Sequence, residues 1–195
     1  GGVRPQSADI DRVKADVVRV GRAEQTPESL FVVDLQTRQQ LSAEQRQWLS
    51  RLRMVRQVSE FTVVHSTLDQ PSHWNYVTNR FDAMSNFSYQ FTQICFHGHT
   101  HVPRIFEKDD AVRAARGTDV QIQRGVKYFV NVGSVGQPRD NDPRAAWALY
   151  DQVRGELTLH RLDYDIEAAQ SLILDAELPP FLASRLPSPR SAPES

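Results

Sequence analysis

Three apolar, β-branched stretches of this 195-residue chain run directly out into small and polar residues, and two of the three exits carry histidines. They are Val63-Val64-His65-Ser66-Thr67, Cys95-Phe96-His97-Gly98-His99-Thr100-His101 and Val130-Asn131-Val132-Gly133-Ser134-Val135-Gly136. Short runs of this texture are strands. In layered α/β proteins, ligands and catalytic groups gather where strands end in loops. The expectation is an α/β protein in which these three strand ends converge.

The strand texture recurs from Phe61 to His65, Gln93 to Phe96, Tyr128 to Val132, Ala145 to Asp151 and Leu157 to Tyr164, and Glu156, after Gly155, opens the second arm of a hairpin. Helix signals flank these strands. Thr26-Pro27-Glu28 reads as a helix start followed by Leu30, Val33, Thr37 and Leu41 at helical spacing. Ser42 with Gln45 makes a capping box for a second helix, expected to bury Trp48, Leu49 and Leu52. Asp165 caps a last helix whose Ile166, Ala169, Leu172, Ile173 and Ala176 share a face. The segment from Trp74 to Tyr89 reads as a helix or an ordered loop. The charged stretch between Phe106 and Gly125 reads as a solvated excursion. Residues 1–25 leave helix and strand open, and the Pro- and Ser-rich tail 187–195 has no apolar payload to order it.

With 23 basic against 24 acidic side chains the net charge is −1, so no general field draws the chain to nucleic acid or to an acidic membrane. A single cysteine, Cys95, rules out an internal disulfide and a thiolate zinc finger, and its apolar surroundings make it a packing residue. No apolar run reaches the roughly 20 residues of a membrane span. These features predict a cytoplasmic protein.

In an extended segment residues i and i+2 point to one side, roughly 6 to 7 Å apart, so His99 and His101 are expected to offer imidazoles to one cavity. His97 shares their parity, but Gly98 is expected to break the strand and leave His97 packed beneath the site. On spacing alone a His-x-His is either a metal pair or a surface or core pair.

Gly98-His99-Thr100-His101-Val102-Pro103 resembles the GHTHVP box of the calcineurin-like metallophosphoesterases. Asn131-Val132-Gly133-Ser134-Val135-Gly136-Gln137-Pro138-Arg139-Asp140 is similar to the NxGSVGQPRD segment of one bacterial branch. The similarity extends through Asp142-Pro143-Arg144-Ala145, Leu162-Asp163-Tyr164-Asp165 and Arg185-Leu186, and back to Val64-His65. It implies a β-sandwich flanked by helices and a site that hydrolyses a phosphate ester, as a phosphodiesterase or phosphatase, with two divalent ions (manganese, iron, zinc or nickel). By the same resemblance His65 and His99 ligate one ion and His101 the other, while Gly98, Asn131, Gly133 and Ser134 support the histidine loop. Direct phosphate contact is the alternative role of Gly133 and Ser134. Arg139 is either a phosphate contact or the partner of Asp140 or Asp142. A single zinc held by all three imidazoles is an alternative arrangement.

The family's first half carries an Asp-x-His pair, a Gly-Asp-x-x-Asp box and a Gly-Asn-His box, and this sequence contains no Asp-x-His, Gly-Asp or Asn-His. Two close cations repel strongly without an anion between them, and neutral imidazoles supply none. Asp34, Asp69 and Asp82 are the carboxylates that could approach. On this reading residues 1–30 are unplaced, 31–186 form the C-terminal portion of a metallophosphoesterase domain, and 187–195 are tail. The expected partners are the phosphate ester and either a second copy or a complementing chain. The competing function is a binding or dimerisation module that has lost its chemistry.

Overall fold

A computed structural model of the chain describes residues 39–186. The chain divides into two compact units, Gly1–Leu52 with Glu177–Pro179, and Arg53–Ala176 with Pro180–Ser195. The helix expected from Thr26, the segment 1–25 and the tail 187–195 lie essentially outside the described residues.

In the first unit, α1 spans Ala43–Ser50 behind the expected capping box, with the Ser42 hydroxyl accepting from the Gln45 N–H and the Gln45 side chain accepting from the Ser42 N–H. The expected burial does not occur. Trp48, Leu49 and Leu52 are 62%, 43% and 55% exposed. The helix is only eight residues long and its few apolar side chains crowd its C-terminal end, with none of them buried.

In the second unit the strands are β1 (Val55–Val58), β2 (Phe61–Val64), β3 (Ile94–His97), β4 (Arg104–Lys108), β5 (Val112–Ala114), β6 (Asp119–Gln121), β7 (Lys127–Asn131), β8 (Ala145–Asp151) and β9 (Glu156–Leu162). They build a six-stranded sheet in the order β1-β2-β3-β7-β4-β5 and a three-stranded sheet in the order β6-β9-β8. The pairs β2 with β3 and β3 with β7 are parallel, and the others are antiparallel. The three strands whose exits carry the motifs are thus central neighbours running the same way, and their C-terminal ends emerge side by side.

Period-two alternation splits the core. Ile94, Ile105, Tyr128 and Val130 face Leu157 and Leu159 of the smaller sheet, which makes the sandwich. Val64, Cys95, Phe106 and Phe129 turn to the opposite face and pack with Ala83 and Phe87 of α2 (Arg80–Tyr89). Cys95 is fully buried there, and burial pushes its thiol pKa up, as a packing residue requires.

The Trp74–Tyr89 segment is both loop and helix, with α2 starting at the N-cap Asn79, whose side chain accepts from the Phe81 and Asp82 N–H groups while the Asp82 carboxylate accepts from the Asn79 N–H. Asn79→Ala should lower stability by about 1 kcal/mol in chemical denaturation. An unchanged midpoint would mean that tertiary packing alone holds the helix end.

The charged excursion is not a loop. It supplies β4, β5 and β6: Arg113 pairs across the β4–β5 hairpin with Glu107 and with Asp109, and β6 joins β9. Edge strands expose one row of side chains, so charge there is compatible with pairing. After the β8–β9 hairpin, Asp165 caps α3 (Ile166–Asp175), with its carboxylate accepting from the Ala168 N–H. Of the expected apolar face only Ile166 is buried and Leu172 is 69% exposed. The α3 residue Gln170 instead donates to the Ala183 and Leu186 carbonyls at the C-terminal end of α4 (Pro180–Ser184).

Candidate metal centre

The strands β2, β3 and β7 deliver His65, the 98–101 loop and the 131–137 turn to one sheet end. The Gly98 N–H donates to the His65 carbonyl (3.0 Å) and the Val132 N–H to the His97 carbonyl (3.0 Å), so the three exits are stitched together by backbone. Asn131 completes the stitching. Its amide donates to the Gly98 carbonyl and to the Thr100 hydroxyl, both at 2.7 Å, and its carbonyl oxygen accepts from the Gly133 N–H at 2.9 Å. Asn131 is 1% exposed, so these bonds form in a dry setting where each matters more.

His99 and His101 do not converge by strand parity. Both have left-handed backbones, φ 67° and 60°, which L residues with a side chain adopt at a cost of about 1–2 kcal/mol each. β3 ends at His97, and the chain beyond it is a turn that the Asn131 bonds hold in place. The turn sends His99 to His65, with His65 Nε2 and His99 Nδ1 3.1 Å apart. It sends His101 to the Gln137 carbonyl, 2.7 Å from His101 Nδ1.

That carbonyl fixes a tautomer. A carbonyl only accepts, so Nδ1 of His101 carries the proton and Nε2 keeps its lone pair. The Gln137 carbonyl is positioned in turn by the Ser134 hydroxyl, which accepts from the Gln137 N–H at 3.0 Å. All three imidazoles have pKa values below the ordinary histidine value, chiefly through desolvation. His65 keeps an exposed edge, but its ring packs against Trp74 and His99. His97 lies beneath, 3% exposed and stacked on Phe129 with ring centroids 4.1 Å apart; burial brings its pKa down to about 3. It is packed, as expected.

The donor set suits a transition-metal ion. Nitrogens sharing one ion at about 2.0 to 2.1 Å lie roughly 3.0 to 3.4 Å apart. The His65 Nε2–His99 Nδ1 hydrogen bond, at 3.1 Å, has a length within that range. Among the described residues no three His, Cys, Asp or Glu side chains can hold one ion together, so the single zinc on three imidazoles is not formed. The candidate bridging carboxylates are also accounted for. Asp82 caps α2, Asp69 accepts from the neighbouring Gln70 N–H, and Asp34 lies outside the described residues.

Arg139 has neither expected carboxylate partner. Asp140 pairs with Arg161, and Asp142 with Arg144 and Arg161. Arg139 donates to the Gln137 side chain at 2.7 Å and lies close enough to lower the pKa of both His99 and His101. Arg185 does the same to His101. Sequence reading gave Arg185 no role, since nothing in its spacing shows that the far end of the chain returns to the site.

The comparisons with known proteins agree with this architecture. A metallophosphoesterase of Sphaerobacter thermophilus superposes with a TM-score of 0.71 at 31% identity, covering 91% of this chain and 80% of that one. A hypothetical protein of Pyrococcus horikoshii shares the fold at 16% identity and a TM-score of 0.59, covering 89% of this chain and 69% of the other. An uncharacterized protein of Methanocaldococcus jannaschii is 29% identical over 122 residues, 63% of this chain and 49% of that protein, so the chain spans about half the length of this curated relative. A family model for the calcineurin-like phosphoesterase superfamily domain matches residues 11–153, beginning within the segment that the motifs leave unplaced. With that match covering most of its length, the chain belongs to the calcineurin-like phosphoesterase superfamily.

Proposed function

We propose that His65, His99 and His101 are the imidazole half of a divalent-metal site that hydrolyses a phosphate ester, with His65 and His99 serving one ion and His101 a second. The observation that carries this reading is the tautomer of His101, held by the Gln137 carbonyl with Nε2 free, beside a His65–His99 pair already at ligand separation. Depressed pKa values keep all three rings neutral near pH 7, the state that binds metal. Manganese, iron, zinc or nickel, when bound, would polarise the phosphoryl group and supply hydroxide. Arg139 adds positive field toward phosphate at the same edge. Two ions so close together also need an anionic bridge between them, which neutral imidazoles do not supply.

Elemental analysis of the purified chain, beside hydrolysis of a chromogenic bis-aryl phosphate with added manganese, tests the reading in wild type and His99→Ala. Bound metal and turnover should both fall at least about tenfold in the variant. Metal retained in full by His99→Ala would sink the ligand assignment. A second reading, a binding module without turnover, is favoured because among the described residues no three His, Cys, Asp or Glu side chains are grouped to hold a metal ion. Substoichiometric metal and no hydrolysis in the wild type would select it.

A further inference from the structure

We propose that Trp74 and Tyr76 form an aromatic wall that stacks the planar group of the phosphate ester, so that the site prefers nucleotides to esters of the same phosphate without a base. The inference rests on the phosphoesterase reading above and deepens it. The Trp74 ring lies 5.0 Å from that of His65 and 5.8 Å from that of His99, and the Tyr76 ring lies 4.5 Å from His99 at 31°. Each ring therefore sits against the candidate ligands, yet Trp74 is 37% and Tyr76 39% exposed. Large rings left partly wet beside a polar site are available to a planar ligand, and every nucleobase has a face to offer.

The wall is held rather than loose. Leu68 and Val77 are buried on either side of it, 8% and 5% exposed. The Leu68 N–H donates to the Asn86 side chain of α2, the Ser66 hydroxyl donates to the Asn75 carbonyl between the two rings, and Arg104 donates to the Thr78 carbonyl. Trp74 itself has a left-handed backbone, φ 55°, at the end of the short 3-10 turn Pro71–His73. A bulky residue in that conformation stays there because its surroundings hold it, and such strain gathers at ligand sites. A preset wall binds a base without an ordering cost.

The test is calorimetric titration of the full chain in saturating manganese with adenosine 5′-monophosphate, ribose 5-phosphate and adenosine, for wild type, Trp74→Leu, Tyr76→Leu and Trp74→Phe. In the wild type the monophosphate should bind roughly tenfold to a hundredfold tighter than ribose 5-phosphate. The ratio should fall toward one in both leucine variants and recover in part in Trp74→Phe. Equal affinity for the two phosphates in the wild type would overturn the wall and leave the phosphoester reading standing. Adenosine binding as tightly as its monophosphate would keep the wall and sink the phosphoester reading. Binding of none of the three would overturn both.

Discussion

Gly133→Ala is expected to destabilise the protein by about 2–5 kcal/mol, the sum of a left-handed backbone forced on alanine and a methyl group forced into packed atoms. Gly133 has φ 82°, and a Cβ built on it would stand 2.5 Å from the Ala146 Cβ and 2.7 Å from the Pro103 Cγ. Neither neighbour can yield by rotating a flexible end, since one is a Cβ on β8 and the other a proline ring of the histidine loop. Relief must come from moving the turn, which costs the bond from the Gly133 N–H to Asn131. Because Asn131 also holds Gly98 and Thr100, the damage should spread to the candidate metal centre, and any metal affinity of the proposed site should fall with stability. Gly136→Ala is the matched control. A Cβ there meets nothing within 4 Å, and its backbone is not left-handed, so it should change stability by no more than about 0.5 kcal/mol. Chemical denaturation of the two variants decides the point. Equal midpoints would mean that the close approach to Pro103 and Ala146 is not what this position requires.

This turn also shows how far the sequence could be read. The strands were legible because β-branched and aromatic residues alternate along them: β8 falls on its expected residues and β3 and β7 within one residue at either end. The excursion from Phe106 to Gly125 was not legible. At a sheet edge an alternating row such as Arg113 opposite Glu107 looks like a solvated loop, because composition reports exposure and does not report pairing. Trp48 failed in the opposite direction, since apolar spacing marks a face without saying whether anything covers it. In the candidate site, motifs singled out the histidines, but the stated reason for their convergence, extended parity, was wrong. The left-handed turns at His99 and His101 depend on Asn131, 30 or more residues away in sequence. Arg139 illustrates the same limit: of the nearby carboxylates, Asp140 is taken by Arg161, which the β8–β9 hairpin brings back, and Asp142 by Arg161 and its sequence neighbour Arg144.

His97 gives the second large effect, in the pH dependence of stability. Its ring is buried against Phe129 with Nε2 unpartnered, and its folded pKa is about 3 against an ordinary 6.5. Burial is the dominant cause, and the neighbouring His65 and His99 push the same way. Below pH 6.5 the unfolded chain takes up a proton that the folded chain refuses, so stability is full above that value and falls as pH drops toward 3. The slope is about 1.4 kcal/mol per pH unit, or about 2 kcal/mol lost between pH 6.5 and pH 5 from this residue. The aspartates with depressed pKa values, Asp82, Asp109 and Asp142, start from 3.8 and act only below that window. His65, His99 and His101 act inside it and in the same direction, so the wild type alone cannot isolate His97. His97→Phe can, because phenylalanine retains the stacked ring and removes the proton. Urea denaturation at pH 7 and pH 5 should show the wild type losing about 2 kcal/mol more than the variant over that interval. Parallel losses would mean that the folded protein admits the proton, and that water or a local opening reaches the floor of the site.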